Sequence, residues 1–140
     1  MQRFRSRPAH QRGFTLLEML AVIVLLGIVA TIVVRQVGGN VDKGKYGAGK
    51  AQLASLGMKV ESYALDVGAP PANLNQLVTR PANARQWAGP YAKASDLQDP
   101  FGHGFGYRYP GEHGSFDLIF YGQDGVPGGE GYNADLGNWE

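Results

Sequence analysis

Residues 12–34 read RGFTLLEMLAVIVLLGIVATIVV, and the reading of this stretch decides the fold. From Phe14 to Val34 there are 21 residues with Glu18 as the only charge. At about 1.5 Å of rise per helical residue, that length crosses a hydrocarbon core of about 30 Å. The stretch is therefore a transmembrane candidate. Residues 1–13 carry Arg3, Arg5, Arg7 and Arg12 and no acid; by the positive-inside rule this end stays cytoplasmic and the remainder faces outward. Two simpler readings compete. A cleaved secretory signal is opposed by an apolar run longer than the usual stretch of about 7–15 residues and by the lack of an Ala-x-Ala-like site after it. A plain single-pass anchor leaves Glu18 unexplained.

A carboxylate in lipid costs a few kcal/mol or more, so Glu18 requires a partner that is cationic or rich in donors. No basic side chain lies close by on the same apolar segment. A cut after Gly13 would supply one, because Phe14 would then begin with a free α-ammonium. Glu18 of one copy pairing with that amine on the next would pin the register between stacked helices, as a single polar residue does in a coiled coil.

The stretch GFTLLEML resembles the class III signal shared by type IV pilins and type II secretion pseudopilins: a short basic leader ending in Gly, then Phe, then Glu at the fifth mature position. The resemblance implies that an inner-membrane prepilin peptidase cuts between Gly13 and Phe14 on the cytoplasmic side and methylates the new Phe14 amine. It also implies that Glu18 serves assembly.

At 140 residues, 18% charged and 44% hydrophobic, the chain has room for one small domain plus this appendage. Its net charge is +1, yet residues 14–140 hold 9 basic against 12 acidic side chains, which argues against nucleic acid as a partner. The chain has no cysteine, which excludes disulfides and thiolate metal sites. No H-E-x-x-H, P-loop, nucleophile-elbow or dinucleotide signature is present, so the expectation is a protein that is not an enzyme. His103 and His113 sit beside glycines and read as exposed turn histidines.

Beyond the span, Tyr46, Gly49, Leu53, Leu56, Val60, Tyr63 and Val67 recur every three or four residues. That spacing predicts an amphipathic helix over 41–67 packed on a domain. Gly38, Gly39, Gly44, Gly47 and Gly49 should weaken it over 35–50, at roughly 1 kcal/mol each relative to Ala. A Pro-rich loop follows over 68–100, with a helical turn near Asn73–Val78 and with Trp87 and Tyr91 filling a minor core. FGYRYP and FDLIFYG, joined by the turn PGEHG, read as two strands of a sheet over 104–122.

The last stretch, YGQDGVPGGEGYNADLGNWE, places Asp124, Glu130, Asn133 and Asp135 among six glycines. Gly content alone supports a disordered tail. Carboxylates spaced by flexible glycines also suit Ca²⁺, which takes about 6–8 oxygens from side chains and carbonyls, and a terminal Trp would be wasted on a frayed end. Spacing leaves both readings open and excludes an EF-hand.

DPFG, PGEHG, DLIFYGQDGVPGGEG and ADLGNW are similar, block by block and in order, to the C-terminal region of the general secretion pathway protein G family, the major pseudopilins of bacterial type II secretion. The resemblance implies a calcium loop over 121–139: carboxylates from Asp124 and Asp135, backbone carbonyls from Tyr121 and Val126, and Glu130 or Asn133 to complete the set. Its implied fold is α+β and pilin-like. A long N-terminal helix, transmembrane in its first half and amphipathic in its second, packs on a small antiparallel sheet ending in a metal-binding loop.

The resulting organisation is a leader over 1–13 that is removed, a transmembrane and assembly helix over 14–36, and a periplasmic domain over 37–140. The expected role is the major subunit of a periplasmic pseudopilus. This homopolymer would grow from the inner membrane, with minor pseudopilins and an inner-membrane assembly platform as partners and lipid around each subunit before assembly. A type IV pilin and a minor pseudopilin are the neighbouring alternatives. A monomeric membrane-anchored binding protein is the distant one, since it would keep residues 1–13.

Overall fold

The computed structural model describes residues 13–140. The leader expected over 1–13 thus lies, apart from Gly13, outside the described residues. One helix, α1, runs Leu16–Val67 and is followed by short 3₁₀ turns at Leu74–Leu77 and Ala94–Leu97. Strands β1 (Gly106–Arg108), β2 (Asp117–Phe120) and β3 (Leu136–Gly137) complete the order. Two compact units meet in sequence between Gly38 and Gly39.

In the first unit every described residue is exposed. Leu16, Ile23, Leu25, Leu26 and Ile32 are all exposed. A helix that is apolar all round is stable only in lipid or among other helices. Thr31, a polar group in this stretch, returns its hydroxyl hydrogen to the Gly27 carbonyl at 2.9 Å, which removes an unsatisfied donor from the apolar surface.

The second unit holds the whole buried core. The second half of α1 contributes Gly49, Leu53, Leu56, Val60 and Tyr63, all on the face expected from the spacing, and also Gly57, which that spacing did not include. Against it pack Leu77, Phe105, Phe116, Leu118 and Phe120. Fully burying one such Leu or Phe stabilises by about 1.5–3 kcal/mol, so this face outweighs the poor helix propensity of the glycines. α1 also runs unbroken through 35–50, where a weakened helix was expected. Gly49 has a packing reason of its own: a Cβ there would come within 2.8 Å of both Cε atoms of Phe120.

The sheet is antiparallel in the order β1–β2–β3, with Tyr107 opposite Leu118 and Phe120 opposite Leu136. β1 and β2 fall within the two expected strands. β3 was not expected; its two residues are too few to show alternation, and Asn138 extends the pairing with its side chain. The Leu118 amide donates to Asn138 Oδ1 at 2.8 Å, while the Asn138 amide donates to the Leu118 carbonyl at 3.0 Å.

The Pro-rich segment is tied down at several points. Tyr107 donates its hydroxyl hydrogen to the carbonyl of buried Pro71 at 2.7 Å. Trp87 Nε1 donates to the Gln76 carbonyl at 2.9 Å, and Tyr91 donates to Asp66 Oδ2 at 2.7 Å. The two rings meet edge to face at 5.7 Å, giving the minor core expected of them. Burial, then the facing Asp66 carboxylate, pushes the Tyr91 phenol above its ordinary range. Lys59 of α1 pairs with Asp96 of the second 3₁₀ turn at 2.6 Å.

Candidate functional site

The N-terminal candidate residues lie at the start of α1. Phe14 is 78% exposed, two residues before the first helical residue Leu16. Glu18 is drawn into the helix's own first turn. Its Oε2 accepts the Thr15 amide hydrogen at 3.3 Å, while the Glu18 amide donates to Thr15 Oγ1 at 3.2 Å. This reciprocal pair is a capping box, and it satisfies two of the amides that a helix start leaves without partners. The spacing T-L-L-E at 15–18 carried that signal in the sequence. Thr15, not named from the sequence, is thus a local partner of Glu18 within the same chain.

The C-terminal candidates are held in a folded loop rather than a disordered tail. Its two arms run side by side, with the Gln123 amide donating to the Tyr132 carbonyl at 2.8 Å. Gly122 sits so close to the other arm that a Cβ would lie 2.6 Å from the Tyr132 carbonyl oxygen. Asp124 is exposed and its Oδ1 accepts the Val126 amide at 3.3 Å. Asp135, half-buried, accepts the Gly128 amide on Oδ2 at 2.8 Å. Its Oδ1 is buried and has no partner.

Tyr121 is half-buried, with its ring against Gly106. Asn133 is half-buried, donates its amide to the Glu130 carbonyl at 3.1 Å, and lies against Gly122 and Gly129. Val126 and Glu130 are exposed. Among the described residues no three His, Asp or Glu side chains are gathered in a metal-binding group. Asp124, Glu130 and Asp135 thus do not form a three-carboxylate cluster.

Two anchors of this loop were not foreseen. Tyr46 on α1 donates its hydroxyl hydrogen to the Ala134 carbonyl at 3.0 Å. Trp139 stacks on His113 with ring centroids 3.9 Å apart and planes 9° apart, so the terminal Trp is used. His113 is only partly free to solvent, because its Nδ1 lies 3.1 Å from Asp117 Oδ2. Burial pushes the Asp117 carboxyl up, but the amides of Glu112 and His113 and the His113 ring outweigh it and hold the group below the ordinary range.

A capped apolar helix start without cover, together with a helix-backed three-stranded domain closed by a glycine-rich loop, defines a pilin-like subunit. A model described as prokaryotic N-terminal methylation motif matches residues 8–34. A second, described as type II secretion system (T2SS), protein G, matches residues 36–139. The type II secretion system core protein G of Xanthomonas campestris pv. campestris is 47% identical over 128 residues, covering 91% of this chain and 90% of that protein. The core protein G of Vibrio cholerae serotype O1 is 39% identical, covering 96% and 95%. Among solved structures, the major pseudopilin from the type 2 secretion system of enterohaemorrhagic Escherichia coli matches with a TM-score of 0.58 and 30% identity, covering 72% of this chain and 91% of that one. The chain belongs to the type II secretion system protein G family. Of the subunit types the sequence left open, the comparisons select this one.

Proposed function

We propose that the chain works as the major structural subunit of a type II secretion pseudopilus, with a mechanical rather than an enzymatic role. In this reading a prepilin peptidase cuts between Gly13 and Phe14 and methylates the Phe14 amine. The first half of α1 then holds the subunit in the inner membrane as a single span, with residues 37–140 in the periplasm. Subunits leave the lipid through an inner-membrane assembly platform, join below minor pseudopilins and lengthen a fibre that drives folded exoproteins outward.

The observation that carries this reading is the uncovered apolar first unit of α1, which needs lipid in the monomer and the helices of other copies in a fibre. Glu18 meets a neighbour's Phe14 ammonium at that stage. Expression of the Glu18→Ala chain with the secretion machinery tests the pairing: the expected result is normal membrane insertion without fibres, and normal fibres would overturn it.

Calcium fits the residues of the C-terminal loop. Asp135 Oδ1 is a buried carboxylate oxygen with no partner, a costly state that a cation would relieve. Asp124 and Asp135 would hold the ion together with the carbonyls of Tyr121 and Val126, with Asn133 better placed than the exposed Glu130 to complete the set. The bound ion would supply a crosslink between the two arms of the loop. Residues 39–140 contain the whole core, so their thermal unfolding in calcium and in chelator tests the site. At about 100 times Kd the expected gain is about 2.7 kcal/mol, a rise of roughly 10–20 °C for a domain of this size. Equal melting temperatures would remove calcium and leave the subunit role standing.

A further inference from the structure

Among the described residues, two buried side-chain polar atoms lack a hydrogen-bond partner, Asp135 Oδ1 and His103 Nδ1, and both sit against the C-terminal loop. The first is a proposed ligand. The second is not a ligand of ordinary type, since calcium takes oxygen donors, yet its ring is seated where the loop turns. Gly125 lies directly on it: a Cβ at Gly125 would fall 2.5 Å from His103 Cγ, 2.6 Å from Nδ1 and 2.7 Å from Cδ2. Gly125 is also held at φ +68°, a left-handed conformation that glycine alone adopts without strain. It stands between Asp124 and Val126, the two residues whose side chain and carbonyl were assigned to the cation.

His103 is itself fixed. Buried Asp99 accepts the amides of Phe101 and His103 on Oδ1 at 2.8 and 3.0 Å, and its own amide donates to the His103 carbonyl at 2.7 Å. A bridge between Gln98 and Gly104 closes the turn, and Phe101 stacks on the core ring of Phe120 with centroids 6.4 Å apart. A rigid path thus runs from the core through residues 98–104 to the His103 ring, and from that ring to Gly125.

We infer that His103 is a positioning residue for the cation site, a flat wall against which the Asp124–Gly125–Val126 corner is set before the ion arrives. The inference rests on the calcium reading of the loop and adds a residue to it. A preset wall removes part of the ordering cost that binding would otherwise meet. Partners that orient ligands without touching the metal are worth about 10–100-fold in affinity. Because the role is steric, the ring face carries it; Nδ1 makes no hydrogen bond and lies 3.9 Å from Asp99 Oδ2, too far to bond it.

The test is calcium titration by calorimetry on the full chain in detergent micelles, for wild type, His103→Ala and His103→Phe, with thermal unfolding in chelator as the second readout. The expected result is a loss of about tenfold or more in calcium affinity for His103→Ala, with His103→Phe within about threefold of wild type. His103→Phe should also melt close to wild type in chelator. Wild-type affinity in His103→Ala would overturn the inference while calcium binding itself stood. His103→Phe as weak as His103→Ala would overturn it in favour of a role for Nδ1. No binding by wild type would remove the calcium reading, and the inference with it.

Discussion

The Tyr46 hydroxyl donates to the carbonyl of Ala134 at 3.0 Å, joining residues 88 positions apart in sequence. The Tyr46 ring lies 5.3 Å from Phe120 in the core and 5.9 Å from Tyr132 in the loop, so one side chain registers the glycine-rich loop against both helix and sheet. Asp135, the carboxylate with an unpaired oxygen, is the next residue along. Tyr46→Phe keeps the ring contacts and removes only the hydrogen bond. Residues 39–140 carrying it should lose about 1 kcal/mol by urea unfolding, the net worth of one such bond. An unchanged urea midpoint would show that the loop holds its place without this link.

Gly49 gives a case in which propensity and packing disagree in sign. Helix propensity alone predicts that Gly49→Ala stabilises by about 1 kcal/mol. The Phe120 ring occupies the space the new methyl would need, and Phe120 is fully buried among Phe101, Phe105 and Tyr46, so it has nowhere to retreat. Overpacking of this kind costs about 1–3 kcal/mol. The expected outcome is net destabilisation of residues 39–140 in urea. Gly47→Ala is the control; nothing lies within 4 Å of a Cβ there, so it should stabilise.

The helix and its buried face were legible in the sequence because period and chemistry agree: the positions from Gly49 to Tyr63 that recur at three and four are the ones the domain covers. β1 and β2 were legible for the same reason, being aromatic and β-branched runs bounded by Gly and Pro. β3 was not, since Leu136–Gly137 is too short for alternation and its pairing is extended by the Asn138 side chain. The loop's carboxylates could be named from composition. Its geometry could not, because Tyr46 and His103 reach it from distant parts of the chain, Trp139 leaves it to stack on His113, and no local spacing encodes those contacts. At the other end, Glu18 stood out in the sequence as the lone charge of its run, but its contact with Thr15 within the same chain was not named. A charge in an apolar run invites a search for the opposite charge, whereas Thr15 and Glu18 had already closed a capping box between them.

That capping box predicts a measurable effect at the helix start. Thr15→Val keeps the side chain's shape and removes the oxygen that accepts the Glu18 amide hydrogen. Loss of such a cap costs about 1 kcal/mol, which corresponds to an opening equilibrium of the first turn about fivefold larger. Hydrogen exchange on the full chain in micelles should therefore accelerate at Glu18 while the amides near Val60 stay unchanged. Equal exchange at Glu18 in both proteins would mean that the hydroxyl contributes nothing in an apolar medium.

Acid sensitivity follows from the Lys59–Asp96 pair. The hydrogen bond from Lys59, then the amide of Lys93, holds the Asp96 carboxyl below its ordinary range. A carboxyl whose folded-state pKa is depressed contributes stability that is fully present above the unfolded value, near about 4, and is lost as pH falls through the folded one. Both side chains are about a third exposed, at 29% and 32%, so water and salt screen the pair and its worth is at most about 1 kcal/mol. Lys59→Met keeps the aliphatic stem and removes the charge. Residues 39–140 carrying it should be less stable than wild type at pH 7 and closer to wild type at pH 2, with the difference closing through the acid range. Asp117, held low by the amides of Glu112 and His113 and the His113 ring, keeps its own share of the acid dependence in both proteins. The variant's stability should therefore still fall with acid, along a shallower curve. Parallel curves from pH 7 to pH 2 would show that Lys59 acts through its packing on α1 and not through its charge.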